Sequence, residues 1–346
     1  MRGNTMAISN ELLSSTLYSI RDGEVDELFR KVAFLDNAKK MNGVEYEDGG
    51  IKIQRPLALE EHSTISQFST GYEPMNLAVK DVMQPAVYEW ADFGAPIVIT
   101  RKEETENKGE LAIVKIVEAR MRSVMGMLRR ELNKQILDGS SSVLTDVNTL
   151  NGFKSGGFLE AEIAAGGNQS NSVGGISKAT YSSTTGWQNQ AIDIQAAFGT
   201  NGIRLMQQGA IKAGAVAPMG QINCVIMSEN AMANYRRALF AQERYIDEKT
   251  LDAGRMVLAF GGAVVEQDTY LGQSYTSTDF GAGALSGYML NFDAIKMIFH
   301  KDCDFAVSPF EKVSGTVARA ADLYVKMQLI ADHLGSNVVI FDGDTY

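Results

Sequence analysis

The side chains that could do covalent or acid–base chemistry are few and scattered. The three histidines are His62, His300 and His333. His300 and Cys303 are separated by Lys301 and Asp302, a spacing that offers a metal two ligands. A closed structural site needs four, and no second pair is visible, so a surface turn after a strand is the expected reading. The chain has no H-E-x-x-H, no G-x-x-x-x-G-K-[ST] and no G-x-S-x-G, hence no zinc-protease helix, phosphate-cradling loop or serine elbow. Gly281-Ala282-Gly283-Ala284-Leu285-Ser286 opens like a dinucleotide loop but lacks the third glycine, and a flexible loop is expected there. Glu60-Glu61 and Glu103-Glu104 are adjacent carboxylates. Neighbours on a strand point to opposite faces, so neither pair is preset for acid–base work. Solvated charge, or a salt bridge to a neighbouring subunit, accounts for them better. Cys224 lies in an apolar run, Cys224-Val225-Ile226-Met227, and reads as an inert buried thiol. No catalytic, cofactor-binding or metal-binding residue is assigned, and no cofactor is expected.

The bulk figures narrow the class. With 346 residues and 45% hydrophobic content, the chain can build a sizeable core, in one large domain or two to three small ones. A net charge of −10 argues against a dedicated nucleic-acid binder. The two cysteines, Cys224 and Cys303, imply no disulfide framework and fit a reducing cytoplasm. No signal peptide is visible, and no apolar run approaches the roughly 18 residues that would span a membrane. Asn168-Gln169-Ser170 matches a glycosylation sequon, as chance often produces. Glycine clusters over 152–157, 166–175, 199–220 and 281–287 mark loops and turns. The 16 methionines fit adaptable core filling.

The elements that must position these residues centre on Lys108 to Asp138. Leu111, Val114, Val117, Met121, Val124, Leu128 and Leu132 recur every three or four residues, which predicts one buried face on a helix of roughly 45 Å. Gly126 is its weak link. Residues 1–43 carry little periodic signal beyond a short helix over 24–35, and read equally as an arm that depends on something else for order or as a frayed tail. Ile51 and Ile53 alternate with polar residues, and Ile97 to Thr100 form a second strand. The long segment between them, with Pro56, Pro74 and Pro85, reads as an extended two-stranded excursion leaning on a partner surface.

After the stop at Gly139, residues 145–186 predict loops with short strands such as one around Phe158. Over 187–300 helices and strands alternate. Helices are expected over Trp187–Phe198, Ile203–Ala213 and 229–240, the last capped by Ser228. Strands are expected over Cys224–Met227, Val257–Phe260, Ala263–Val265, Tyr288–Leu290 and Met297–Phe299, with a turn at Gly261-Gly262. The charged run Gln242–Lys249 reads as a solvated face or loop. Strands over Tyr324–Ile330 and Asn337–Phe341 close the chain, the last expected to return beside the long helix.

This order of elements resembles the major capsid protein of tailed bacteriophages, the Hong Kong 97-type fold. APIVITRKEETENKGELAIVKIVEARMRSVMGMLRRELNKQILDG (95–139) is similar to that family's second excursion strand, spine helix and following D-G. NCVIMSENAMANYRRAL (223–239) resembles the strand and helix of its axial lobe. LAFGGAVVEQD (258–268) resembles a later strand, with Ala263 where proline is frequent. ARAADLYVKMQLIADHLGSNVVIF (318–341) resembles the closing strands.

The resemblance implies an α+β fold with an N-terminal arm (1–43), an extended two-stranded loop or E-loop (44–107), and a peripheral P-domain with the spine helix (108–186). A mixed α/β axial A-domain (187–295) and C-terminal strands returning to the peripheral domain (296–346) complete it. It also implies a structural protein rather than an enzyme. The chain would self-assemble as hexamers and pentamers into an icosahedral shell, in a virion assembled in the host bacterial cytoplasm. Implied partners are portal, scaffolding and decoration proteins and packaged double-stranded DNA held by weak non-specific contact, with no membrane. Lys52 and Lys80 lie in the excursion, but nothing marks either as a cross-linking residue. An encapsulin-like compartment shell shares the fold. A cytoplasmic α/β enzyme and a tail or decoration protein are the readings from other classes.

Overall fold

The computed structural model describes residues 10–59, 67, 69, 71, 82–106, 110–137, 150–153, 157–159, 171–181, 186–194, 198–216, 221–241, 249–250, 256–268, 271 and 284–342. Two helices come first, α1 (Asn10–Lys31) and α2 (Ala33–Lys40), then β1 (Val44–Glu47). β2 (Lys52–Ala58) and β3 (Met83–Glu89) form a hairpin, β4 (Ala91–Thr100) resumes after Trp90, and α3 (Arg101–Glu106) leads to α4 (Glu110–Leu137). The middle of the chain holds β5 (Ser172–Val173), β6 (Ile176–Ser177), β7 (Gln190–Asp193), α5 (Phe198–Val216), β8 (Cys224–Met227) and α6 (Glu229–Ala241). β9 (Lys249–Thr250), β10 (Met256–Phe260), β11 (Ala263–Gln267), β12 (Ala284–Leu290) and β13 (Ile295–His300) follow. β14 (Ala306–Val307), β15 (Glu311–Lys312), β16 (Ala318–Ala331) and β17 (Val338–Asp342) come last. These elements sort into two units. Unit 1 gathers Met1–Gly50, Trp90–Leu150 and Met297–Leu329; unit 2 gathers Ile51–Glu89, Asn151–Lys296 and Ile330–Tyr346.

Unit 1 is built on α4, which runs unbroken where the apolar spacing predicts a helix. Its fully buried stripe is Ile113, Val117, Met121 and Met125, continued by Leu132 and Ile136. The expected stripe shares only Val117, Met121 and Leu132 with it. Val114, Val124 and Leu128 are half-buried, and the side chain of Leu111 lies outside the described residues. Steps of four residues overshoot a full turn by about 40°, so the true stripe winds slowly around the helix. Helix α1 packs along α4 and buries Leu13, Leu17 and Leu28. Only a short helix over 24–35 is predicted in this region. The arm instead holds two helices that break at Val32, and the first begins well upstream of the predicted one. At its far end Tyr18 Oη donates to Val307 O at 2.8 Å, and Ser14 Oγ accepts from Phe310 N at 3.1 Å. Gly126 sits in open space, with no atom within 4 Å of an added Cβ. Gly126→Ala should therefore raise the stability of unit 1 by about 1 kcal/mol in urea unfolding, since only the helix-propensity term changes.

The sheet of unit 1 centres on β16, with β4 antiparallel along it from Ala318 opposite Thr100 to Met327 opposite Ala91. β14 and β15 pair with β16 as well, and β1 lies parallel to β13. One face is buried through Phe93, Ile97, Ile99, Ala321, Leu323, Val325 and Met327, the period-two pattern of a sheet with one covered face. This corrects the pairing expected for the excursion. The strand over 97–100 belongs to β4 and joins β16; the partner of the strand at 51–53 is β3.

Unit 2 holds a sheet ordered β7-β17-β12-β8-β11-β10-β9 among the described residues. Its core, packed with α5 and α6, includes Ile192, Met206, Val225, Met227, Tyr235, Leu258, Val265, Met289 and Ile340. Ser228 Oγ accepts from Ala231 N at 3.3 Å, the predicted cap of α6. Gly261 (φ 57°) and Gly262 (φ 96°) make the tight turn between β10 and β11, as predicted, because both central residues of such a turn need positive φ. Among the described residues of 187–198 the expected helix is not found. Residues 190–193 form β7, parallel to β17, and a helix begins only at Phe198 and runs through Gly214 to Val216. Ile192 and Ile194 are buried while Ala191 and Asp193 are half-buried, so alternation rather than a helical stripe fits the burial. Phe158 is buried but lies in a bend, and the short strands of this region are β5 and β6.

The boundaries expected at 43, 107, 186 and 295 do not coincide with these units. Residues 51–89 and 151–186 belong to unit 2, and the closing segment divides after Leu329. β17 lies between β7 and β12 of unit 2 instead of returning beside the long helix.

Candidate functional site

Among the described residues, those singled out for chemistry do not converge. His300 Nδ1 accepts from Asp302 N at 3.2 Å, capping the turn Lys301–Cys303, and its ring stands edge-on to Trp90 at 5.6 Å. Lys301 Nζ pairs with Asp48 at 2.7 Å. This is the surface turn expected after β13. Glu103 and Glu104 lie on helix α3, not on a strand. Glu103 accepts from Thr100 N at 3.0 Å and pairs with Arg120, while Glu104 pairs with Arg319 at 3.5 Å. The Thr100 hydrogen bonds, with Arg120 adding to them, hold the Glu103 carboxyl below the usual carboxylate range. The two acids thus have separate partners and share no site. Cys224 is buried in β8; burial, with the Glu266 charge, pushes its thiol well above the ordinary range, so the reactive thiolate is disfavoured.

His333 is buried, with Nδ1 3.4 Å from Ser336 Oγ, and burial lowers its pKa. The unfolded chain therefore takes up a proton near pH 6.5 that the folded chain refuses until lower pH. Stability should fall as the pH drops from about 6.5, a slope that His333→Asn should remove in denaturant titrations at graded pH. Among the described residues no group of three or more His, Cys, Asp or Glu could hold a metal ion. His62, Glu60, Glu61, Lys80, Asn168, Gly281, Ala282 and Gly283 lie outside the described residues, as does the run 242–248.

What the structure presents instead is apolar surface. In unit 2 a groove of about 730 Å³ runs beside α5 and α6, lined by Ile203, Ile211, Ile222, Tyr235, Leu239 and Phe260 among others. Among the described residues no Asp, Glu, His, Lys, Arg or Cys lines it. Ile211 on its wall is 71% exposed. The β2–β3 hairpin carries Met83 at 64% and, just before β2, Ile51 at 92%. In unit 1, Val98 and Val317 are exposed where β4 meets the start of β16.

The root of the hairpin is held firmly within unit 2. Tyr88 Oη donates to Ala331 O at 3.0 Å, and its ring lies 6.0 Å from that of Phe158. Val87 N donates to Gly174 O at 2.9 Å, and a Cβ on Gly174 would come within 2.8 Å of Ala86 Cβ. Lys52 pairs with Glu89 at 2.7 Å across the hairpin. Sequence reasoning finds the hairpin's first strand but not these anchors. Tyr88 and Gly174 are far apart in the chain, and no local signal joins them.

No family model matches this sequence, and no curated protein does. Similar folds occur among solved structures. The capsid asymmetric unit of cyanophage A-1(L) matches over 90% of this chain and 93% of its own, at 15% identity and a TM-score of 0.56. The mature capsid of bacteriophage PhiM1 matches over 86% and 85%, at 10% identity and 0.52. The holo-SrpI encapsulin complex from Synechococcus elongatus matches over 92% of both chains, at 8% identity and 0.51. The fold is the one used by phage capsid and encapsulin shell proteins.

Proposed function

We propose that this chain is a structural shell subunit, not an enzyme: the major capsid protein of a tailed double-stranded DNA bacteriophage, built on the Hong Kong 97-type fold. Copies assemble as pentamers and hexamers into an icosahedral shell that encloses the genome. The observation that carries this reading is the likeness to phage capsid subunits along nearly the whole of both chains. In this reading α4 is the spine helix of the peripheral domain. The β2–β3 hairpin is the extended loop within 44–107, the lobe of the β8-centred sheet is the axial domain, and residues 1–43 are the arm. Portal, scaffolding and decoration proteins are its partners, and its net charge of −10 suits a wall that meets DNA weakly.

A second reading, an encapsulin-like compartment, is favoured by the likeness to the SrpI shell over 92% of both chains. Electron microscopy of the purified chain, expressed alone and with its neighbouring genes, tests both. Closed shells tens of nanometres across support the proposal, DNA inside selects the capsid, and a protein cargo selects the compartment. A uniform dimer or tetramer under every condition would refute it.

A further inference from the structure

The two helices of unit 2 carry a charge opposite to that of the chain as a whole. α5 and α6 pack against each other and hold Arg204, Lys212, Arg236 and Arg237, all exposed, against a single acid, Glu229. The net charge of the chain is −10. An exposed cation on a helix can be offset by a carboxylate one turn away, as Arg122 is by Glu118 at 2.6 Å in unit 1. Among the described residues none of the four cations of α5 and α6 forms an ion pair. α5 has no acid at all, and Arg204 reaches Asn201 Oδ1 at 3.5 Å.

These cations border the apolar groove beside the two helices. On α5, Arg204 and Ile211 stand two turns apart on one outward stripe, and Lys212 follows Ile211. On α6, Tyr235 and Leu239 line the groove, and Arg236 and Arg237 lie between them in the chain. The rings of Tyr235 and Phe260 meet edge-on at 6.4 Å, and Tyr235 Oη donates to Ala259 O at 3.4 Å. The other polar side chains lining the groove, Gln207 and Gln221, are uncharged. At about 730 Å³ the groove falls within the ~300–1,000 Å³ of ordinary ligand sites.

The placement of charge selects the occupant. Arg204 and Lys212 are roughly 12 Å apart along α5, and the other two cations stand on α6. The single carboxylate of a fatty acid would meet one of them and leave the rest. A nucleic-acid backbone would meet the cations but set phosphate against Ile211, which is 71% exposed. An amphipathic helix with apolar residues three and four apart, bordered by Asp and Glu, satisfies both features. Its apolar stripe fills the groove and its carboxylates meet the cations of both helices.

We propose that this groove is a docking site for an acidic amphipathic helix of a partner protein, anchored on Ile203, Ile211, Ile222 and Leu239 and held by Arg204, Lys212, Arg236 and Arg237. The site lies wholly in unit 2 and does not depend on the shell reading. The test titrates the full chain into a fluorescent helical peptide of leucine at alternating steps of three and four, with glutamate and alanine elsewhere, and follows anisotropy. Saturable binding is expected, and it should weaken as salt is raised. The same peptide with lysine in place of glutamate, and one of the same composition in scrambled order, should each bind at least tenfold more weakly. Ile211→Asp, and Arg204→Gln combined with Arg236→Gln, change exposed positions and should melt like wild type, yet each should weaken binding at least tenfold. No saturable binding of the acidic peptide at millimolar concentration would overturn the proposal. So would equal binding of the scrambled peptide, or an affinity that ignores either variant. Duplex DNA that binds in place of the peptide, and is lost in the glutamine variant but not in Ile211→Asp, would assign the cations to nucleic acid instead.

Discussion

Val117→Asp should leave unit 1 unable to fold, while Leu128→Asp on the same helix should give soluble protein of reduced stability. Val117 is fully buried on α4, in the stripe that faces the apolar side chains of α1 and the sheet. A carboxylate there would be shut off from solvent, and burying it or forcing its protonation should cost more than about 4 kcal/mol. That is a large share of the ~5–15 kcal/mol that holds a typical domain together. Leu128 is only half-buried, so its Asp variant can turn the charge toward water, with an expected loss of about 1–2 kcal/mol. Soluble yield and urea unfolding followed by circular dichroism check both. Equal damage from the two variants would show that the buried stripe does not wind as described.

The second large effect belongs to Gly287 in β12. This strand is paired on both sides, with β8 and with β17, and its register against β17 shifts between Leu285 and Gly287. A Cβ on Gly287 would stand 2.5 Å from Ile226 O and 3.2 Å from Met227 Cα. Both atoms are backbone, so no rotamer change relieves the clash, and two strands must move apart. Gly287→Ala should destabilise unit 2 by about 3 kcal/mol or more. The two tryptophans report the units separately, since Trp90 belongs to unit 1 and Trp187 to unit 2. With Trp90 replaced by Phe, fluorescence of Trp187 should lose its cooperative transition at a lower denaturant concentration in the Gly287→Ala chain. An unchanged midpoint would contradict the close approach of β12 to β8.

Local signals reach some elements and not others. Helix α4 is legible because 28 residues of periodic apolar spacing outweigh one glycine. The cap at Ser228 and the turn at Gly261-Gly262 are legible because a few neighbouring residues carry the whole instruction. Helix α1 is largely hidden because its apolar residues are sparse, with Arg21, Asp22 and Gly23 interrupting them; it is stabilised by α4, about a hundred positions away. The segment at 190–193 reads as helix because a short apolar run satisfies both periods, and pairing with β17 decides it. The hairpin's partner strand is misassigned from sequence for a related reason: β3 and β4 are nearly continuous, and only distant partners divide them at Trp90. That Pro56 stands opposite Pro85 is not legible, because only the register of the hairpin sets it.

The interleaving of the two units bears on how the molecule is made. The chain passes between them at residues 50, 89, 150, 296 and 329, so neither unit is encoded by one continuous stretch. β17 is threaded between β7 and β12, and residues 338–342 must leave the ribosome before the sheet of unit 2 can close. β16 makes the same demand of unit 1. Such long-range pairing folds slowly and leaves strand edges open in the meantime. Prematurely terminated chains would lack the inner strand of unit 2 and remain substrates for chaperones and proteases. A copy that has not been translated through residue 342 has an unfinished sheet in unit 2.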